Sequence, residues 1–211
     1  YVGFENFIKG INQSEFMRSF ANSAFITVAS VSGIVILTSM TAWYIVRIKN
    51  VLTRIIYYLF VFSMVVPFQM VMYTVTYYAF ELKLNNPVGI VFIYLGFGAG
   101  LSVFMFSGFI KSIPKEIEEA ATVDGIGELG LFLKIVLPLS TPVVASIGLF
   151  TMVGHWNNWF DGYMYMNPEN YPLQTYIYNM INEVNQLAQN PNLSPEQQEL
   201  LASLPGKTLR S

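Results

Sequence analysis

Charged residues are missing from four long stretches of the chain: between Arg18 and Arg47, Arg54 and Glu81, Lys83 and Lys111, and Lys134 and Asp161. Each stretch exceeds the roughly 20 apolar residues a helix needs to cross a hydrocarbon core about 30 Å thick. A buried helix of a water-soluble protein seldom runs so long without a charge. The pattern predicts four transmembrane helices, within residues 19–46, 55–80, 87–110 and 139–156. Trp43 and Tyr44 close the first with rings suited to the membrane interface, just before Arg47, Lys49 and Arg54. Pro67 stands midway along the second and removes a backbone donor, so it predicts a kink there. Asn85-Asn86-Pro87 reads as a short turn into the third.

Positive charge sets the sidedness of these spans. Residues 47–54 hold three basic residues and no acid, and residues 111–134 hold Lys111, Lys115 and Lys134, whereas residues 81–87 hold only Lys83. Both longer basic connections are therefore expected on the cytoplasmic side. Residues 1–18 then form an outer lead-in, 19–158 a membrane core with a cytoplasmic loop at 111–138, and 159–211 an outer segment. Four crossings with both ends outside suggest that helices are missing from one or both ends. Within the outer segment, Ser194-Pro195-Glu196-Gln197 reads as the start of a short helix, with Ser194 as its cap.

Composition agrees with a membrane chain: 54% of the 211 residues are hydrophobic and only 11% charged, against about 25% in soluble domains. The first eighteen residues are polar and mixed in charge, unlike a secretory signal. Without cysteine there is no disulfide or thiolate chemistry, and no basic cluster points to nucleic acid. No catalytic or metal-binding constellation is visible. His155 is the sole histidine and stands beside Trp156, Asn157 and Asn158 at the outer membrane edge. These residues can anchor the interface or line a solute path, and Gln69 beside Pro67 can line a path or satisfy backbone freed by the kink.

The loop at 111–138 is the most informative segment. Pro114 fits a helix first turn, and Glu116, Glu118 and Glu119 follow where a helix dipole favours acids. Ile117, Ala120 and Ala121 are spaced to share a face, and the two alanines make a flat surface that another protein can approach closely. Gly125 supplies a stop that tolerates positive φ. A second amphipathic piece carries Leu129, Phe132, Leu133 and Val136 on one side, and Leu137-Pro138 is expected to end it. The loop thus reads as helix, glycine turn, helix, presenting an apolar docking face.

Glu119-Ala120-Ala121, Gly125 and Ile135-Val136-Leu137-Pro138, at that spacing, resemble the EAA loop of binding-protein-dependent ABC importer permeases. Phe16 to Ser23, Pro67-Phe68-Gln69, Gly108 to Pro114 and Trp156-Asn157-Asn158 resemble recurring segments of the carbohydrate branch, similar to the smaller membrane subunit of the maltose permease. The resemblance implies an all-α polytopic transmembrane bundle of the type I importer (MetI-like) fold, with four of about six family spans in this chain. It implies a bacterial inner-membrane protein that forms part of a sugar or oligosaccharide path. Its implied partners are ABC ATPase subunits, a second permease subunit, an extracytoplasmic solute-binding protein and the lipid bilayer. Glu119, Ala120, Ala121, Gly125, Ile135, Leu137 and Pro138 would couple to the ATPase, which carries the ATP and magnesium; this chain lacks a Gly-x-x-x-x-Gly-Lys-Ser/Thr phosphate loop. A secondary transporter or channel is the alternative. Such proteins normally carry ionisable residues within their spans, and here the stretches hold only His155.

Overall fold

The computed structural model describes residues 14–189, and the expected helix after Ser194 lies outside them. The long first helix, α1 (Ser14–Arg47), begins five residues before the expected start. Its 34 residues rise about 51 Å at 1.5 Å each, enough to cross the hydrocarbon core and project from it. It packs along α4 (Pro87–Ile110), where Ile34, Ala42 and Val46 meet Val103, Phe106 and Ile110 in one buried cluster. The helices approach closely because glycine replaces a side chain at the crossing: a Cβ on Gly98 would lie 2.5 Å from Ile34 Cδ1. Small residues serve this purpose where the surrounding lipid offers no hydrophobic drive to associate.

α1 and α4 are the two described helices long and apolar enough to cross a membrane alone. The other two expected spans are broken. α2 (Val51–Ser63) and α3 (Phe68–Glu81) meet at 101°, so the expected kink at Pro67 is a near-perpendicular break. Pro67 lacks an N–H and excludes helical geometry from Val66; it takes an extended conformation and caps α3. Counting each bent pair as one span gives up to four. A break of this kind at membrane depth is tolerated where it lines a cavity. Met64, Val66 and Phe68 do line one, of about 730 Å³, closed on the other side by Phe92, Gly96 and Phe97 of α4.

After α4 the chain forms α5 (Lys115–Val123), α6 (Glu128–Leu131), a π-helical stretch over Phe132–Val136, α7 (Leu137–Leu139) and α8 (Thr141–Asn157). The expectation that Leu137-Pro138 ends the second arm is wrong. Leu137 is helical, and its N–H reaches back five residues to Phe132 O. Proline cannot donate to the carbonyl four residues earlier and its ring crowds that group; widening to the π repeat relieves both problems. The axis turns only at buried Ser140, bending the 128–139 segment 76° from α8.

Residues 159–189 are also more ordered than an outer loop. They form α9 (Phe160–Tyr165), a 3₁₀ turn at Pro168–Asn170 and α10 (Leu173–Gln189). This segment returns to the start of α1: Arg18 Nη2 donates to Asn170 Oδ1 (3.1 Å), and the Leu173 N–H donates to Ser23 Oγ (2.7 Å). Asn85 Nδ2 donates to Asn167 Oδ1 at 2.9 Å, placing the 81–87 turn at the same pole. The basic connections gather at the other pole, where Arg47 meets residues 110–118. The turn at 81–87 is tight: a Cβ on Gly89 would sit 1.9 Å from Leu84 O. Gly89→Ala is expected to cost about 3 kcal/mol, read as a lowered Tm in detergent. Gly96→Ala, with nothing within 4 Å of its Cβ, should leave the Tm within a few degrees.

Candidate functional site: the arm at the basic pole

Pro114 stands one position before the helix, as the cap of α5. At the other end of α5 the N–H of Ile126 reaches Ala121 O (3.1 Å) and that of Gly125 reaches Thr122 O (3.0 Å). This Schellman closure needs a left-handed residue at Gly125, whose φ is +83°. The glycine stop expected there is present.

A clasp holds α5 to the membrane helices. Arg47 Nε donates to Glu118 Oε1 at 2.8 Å, and Nη2 reaches the same oxygen. Trp43 Nε1 donates to the other carboxylate oxygen at 3.1 Å. Arg47 Nη2 also donates to Ile113 O (3.1 Å) and Ile110 O (3.4 Å), capping the last turn of α4. The Trp43 ring lies 5.7 Å from that of Phe132 in the second arm. Side-chain exposure is 14% for Arg47 and 10% for Glu118, so the pair is shielded and little screened by salt. The Glu118 carboxylate thus ties α5 to α1, Arg47 adds the end of α4, and the tryptophan adds the second arm. Sequence reasoning assigned Arg47 to sidedness, Trp43 to the interface and Glu118 to the helix dipole. The available signal was spacing: Trp43 and Arg47 are four apart on one helix, and Glu118 shares a face with Ala121.

The expected docking residues divide in two. Glu119 and Ala120 are exposed, whereas Ala121 turns inward and is buried. Leu129 and Leu133 are exposed while Phe132 and Val136 are buried, so these four do not share one face. Leu137 packs against the core, Ile135 is half-buried and Pro138 is exposed within the helix. Ile117 and, at 87% exposure, Val123 extend the accessible apolar surface; Val123 was not singled out from the sequence.

At the opposite pole the path-lining candidates are scattered. Gln69 is exposed, whereas its neighbour Phe68 lines the cavity at the helix break. Trp156 meets Phe20 edge-on at 5.8 Å, and Asn157 donates to Val153 O at 2.9 Å. Asn158 borders a second cavity of about 540 Å³, with Tyr94, His155 and Asp161. His155 stacks on Tyr94 at 4.0 Å. Asn158 Nδ2 donates to Asp161 Oδ2 (2.6 Å), and the Asp161 N–H donates back to Asn158 Oδ1 (3.0 Å). Burial pushes the Asp161 carboxyl up to about 6, against hydrogen bonds from Asn158 and Tyr94 that pull it down. A carboxyl whose folded pKa is raised binds its proton more tightly when folded, so stability falls as pH rises from about 4 through 6. The wild-type protein is expected to be less stable at pH 8 than at pH 5 by about 1.4 kcal/mol, read as a lower Tm at pH 8. Asp161→Asn should flatten that difference; an equal pH slope in the variant would refute the assignment. No group of side chains among the described residues could hold a metal ion.

Residues 16–191 match the family described as binding-protein-dependent transport system inner membrane component. The chain belongs to this family. It is 36% identical over 149 residues to a probable starch degradation products transport system permease protein of Thermoanaerobacterium thermosulfurigenes, covering 71% of this chain and 53% of that one. It is 32% identical over 160 residues to the melibiose/raffinose/stachyose import permease protein of Bacillus subtilis, covering 75% and 58%. The chain thus spans about half the length of the curated relatives it matches. A crystal structure of a bacterial ABC transporter involved in the import of the acidic polysaccharide alginate superposes with a TM-score of 0.71 at 24% identity, over 95% of this chain and 68% of that one. The fold is that of an ABC importer permease, all-α and without a strand among the described residues. As a family member the chain is a membrane component of a transport system, and its family is one of permease subunits rather than enzymes.

Proposed function

We propose that this chain is a multi-pass subunit of an ATP-driven importer for a sugar or oligosaccharide. A second permease subunit completes the path, an extracytoplasmic binding protein delivers the solute, and a separate ATPase docks on the arm at 111–138. The observation that carries the reading is the arm itself. It projects at the basic pole, is tied to the membrane helices through Glu118, and leaves Glu119, Ala120, Val123, Leu129 and Leu133 accessible. Relatives whose descriptions are starch-product and raffinose permeases support the solute class. The chain does no chemistry in this scheme. Closure of the ATPase pushes α5, and Glu118 passes the displacement to Arg47 and hence to α1, whose outer end is bonded to the segment at 170–173.

The test is copurification of the full-length protein with an ATPase subunit, followed by ATP-dependent sugar uptake into liposomes. Loss of uptake on omitting ATP is expected; uptake driven by an ion gradient without any ATPase would overturn the reading in favour of a secondary transporter. Glu119→Lys should weaken recovery of the ATPase about tenfold without changing Tm, because the side chain is exposed and its reversal costs an intersubunit pair. Unchanged recovery would remove Glu119 from the interface.

A further inference from the structure

A small pocket at the basic pole lies apart from the Glu118 clasp and shares only Lys111 with the arm. It encloses about 210 Å³ between the end of α1, the first turns of α2 and the end of α4, and is lined by Lys49, Asn50, Arg54, Tyr57, Ser107 and Lys111 among others. Three cations face it, and none of its lining residues is acidic. The ion pair among the described residues is Arg47–Glu118, so no carboxylate neutralises Lys49, Arg54 or Lys111. Lys111 Nζ rests over the Tyr57 ring at 5.2 Å. The first turn of α2 holds no acid, and its N-terminus is closed by a neutral capping box in which Asn50 Oδ1 accepts from the Thr53 N–H at 2.7 Å, so no formal negative charge opposes the helix dipole there.

A second, independent feature lies in the same pocket. Ser107 is fully buried, and its hydroxyl has no hydrogen-bond partner. Several helix hydroxyls, those of Thr38, Thr76, Ser140 and Thr151, bond the carbonyl four residues back, whereas Ser30 Oγ in α1 is buried and unpaired as Ser107 Oγ is; of these two, Ser107 lines a pocket with cations. A buried unpaired hydroxyl is costly unless something else accepts or donates there.

We infer that this pocket binds the phosphodiester headgroup of an anionic phospholipid. Cations without an acidic partner and an unpaired hydroxyl both suit a phosphate oxygen, and the dipole of α2 adds a favourable field. The surroundings select lipid over a soluble anion. The pocket sits where the charge-free stretch of α1 ends, and α2 runs away from it with Val51, Leu52, Ile55, Tyr58 and Leu59 exposed at 51–73%. Acyl chains can lie along that face while the headgroup occupies the pocket. Basic pockets between membrane helices at the cytoplasmic side are suited to such headgroups.

The full-length protein, stripped of lipid by detergent exchange, is titrated with phosphatidylglycerol, with phosphatidylcholine and with inorganic phosphate, and binding is read by native mass spectrometry and thermal shift. Saturable binding of phosphatidylglycerol is expected, with little from phosphatidylcholine. A triple Lys49→Gln, Arg54→Gln, Lys111→Gln variant should bind about 100-fold more weakly, from about 1 kcal/mol for each cation. Lys49→Arg with Lys111→Arg should keep the affinity, and Lys83→Gln at the other pole should not alter it. If the triple variant is too unstable to titrate, Lys111→Gln alone should weaken binding about fivefold. Wild-type protein that does not discriminate phosphatidylglycerol from phosphatidylcholine, or neutralised variants that bind as tightly as wild type, would overturn the site. Inorganic phosphate matching phosphatidylglycerol at equal concentration would overturn the lipid assignment.

Discussion

Replacing Glu118 with alanine is expected to detach the arm from the membrane helices while the chain still inserts. The substitution leaves the Arg47 guanidinium shielded beside Trp43 without its carboxylate, and breaking one side of a buried pair costs about 3–5 kcal/mol. Arg47 retains only the carbonyls of Ile110 and Ile113, and Trp43 loses the acceptor for its N–H. The loss should appear as faster amide exchange across residues 115–131 and at least tenfold slower uptake in the assembled transporter. Arg47→Lys should fall between wild type and alanine. An ammonium can meet the carboxylate or the carbonyls, but it lacks the planar fork that serves both at once. Exchange in the arm that is unchanged by Glu118→Ala would show that packing of Phe132 and Ala121 suffices.

Gly125→Asp is expected to reduce uptake at least tenfold for a different reason. No atom lies within 4 Å of a Cβ built at Gly125, so space is not the constraint. The constraint is φ = +83°, which costs a side-chain-bearing residue of order 1–2 kcal/mol. That is too little to unfold the protein but enough to re-angle α5 against the second arm. Aspartate also adds a negative charge on the exposed side of the turn, next to Asp124. Membrane insertion and the Glu118–Arg47 clasp should survive, whereas ATPase recovery and uptake should fall together. Normal uptake by the variant would mean that the turn angle does not matter to coupling.

The sequence pattern made some features plain and concealed others, for identifiable reasons. Charge-free intervals located α1 and α4 because lipid imposes one continuous demand on a straight helix. The same intervals could not reveal the breaks at Met64–Pro67 and Ser140, since apolar composition is the same whether a helix crosses or turns aside into a cavity. Pro67 announced a disturbance without its size. Pro138 misled, because the rule that residues before proline leave the helix assumes an α repeat, and the π stretch at Phe132–Val136 evades it. The turn at Gly125 was legible from local backbone preference alone. The clasp was not: Trp43 and Arg47 lie more than 70 residues from Glu118, and each had an adequate local explanation. That long-range pairing is also why Glu118, rather than its motif neighbour Glu119, is the acid that holds the arm.

The most direct test uses the absence of cysteine from the chain. Ala120→Cys in the full-length protein, with any cysteine outside these 211 residues replaced, assembled with its ATPase and treated with a short thiol-to-amine crosslinker, should give an ATPase-linked product. Met17→Cys, at the opposite pole, should give none. Crosslinking from Met17 but not from Ala120 would contradict the assignment of the arm as the surface that receives work from ATP.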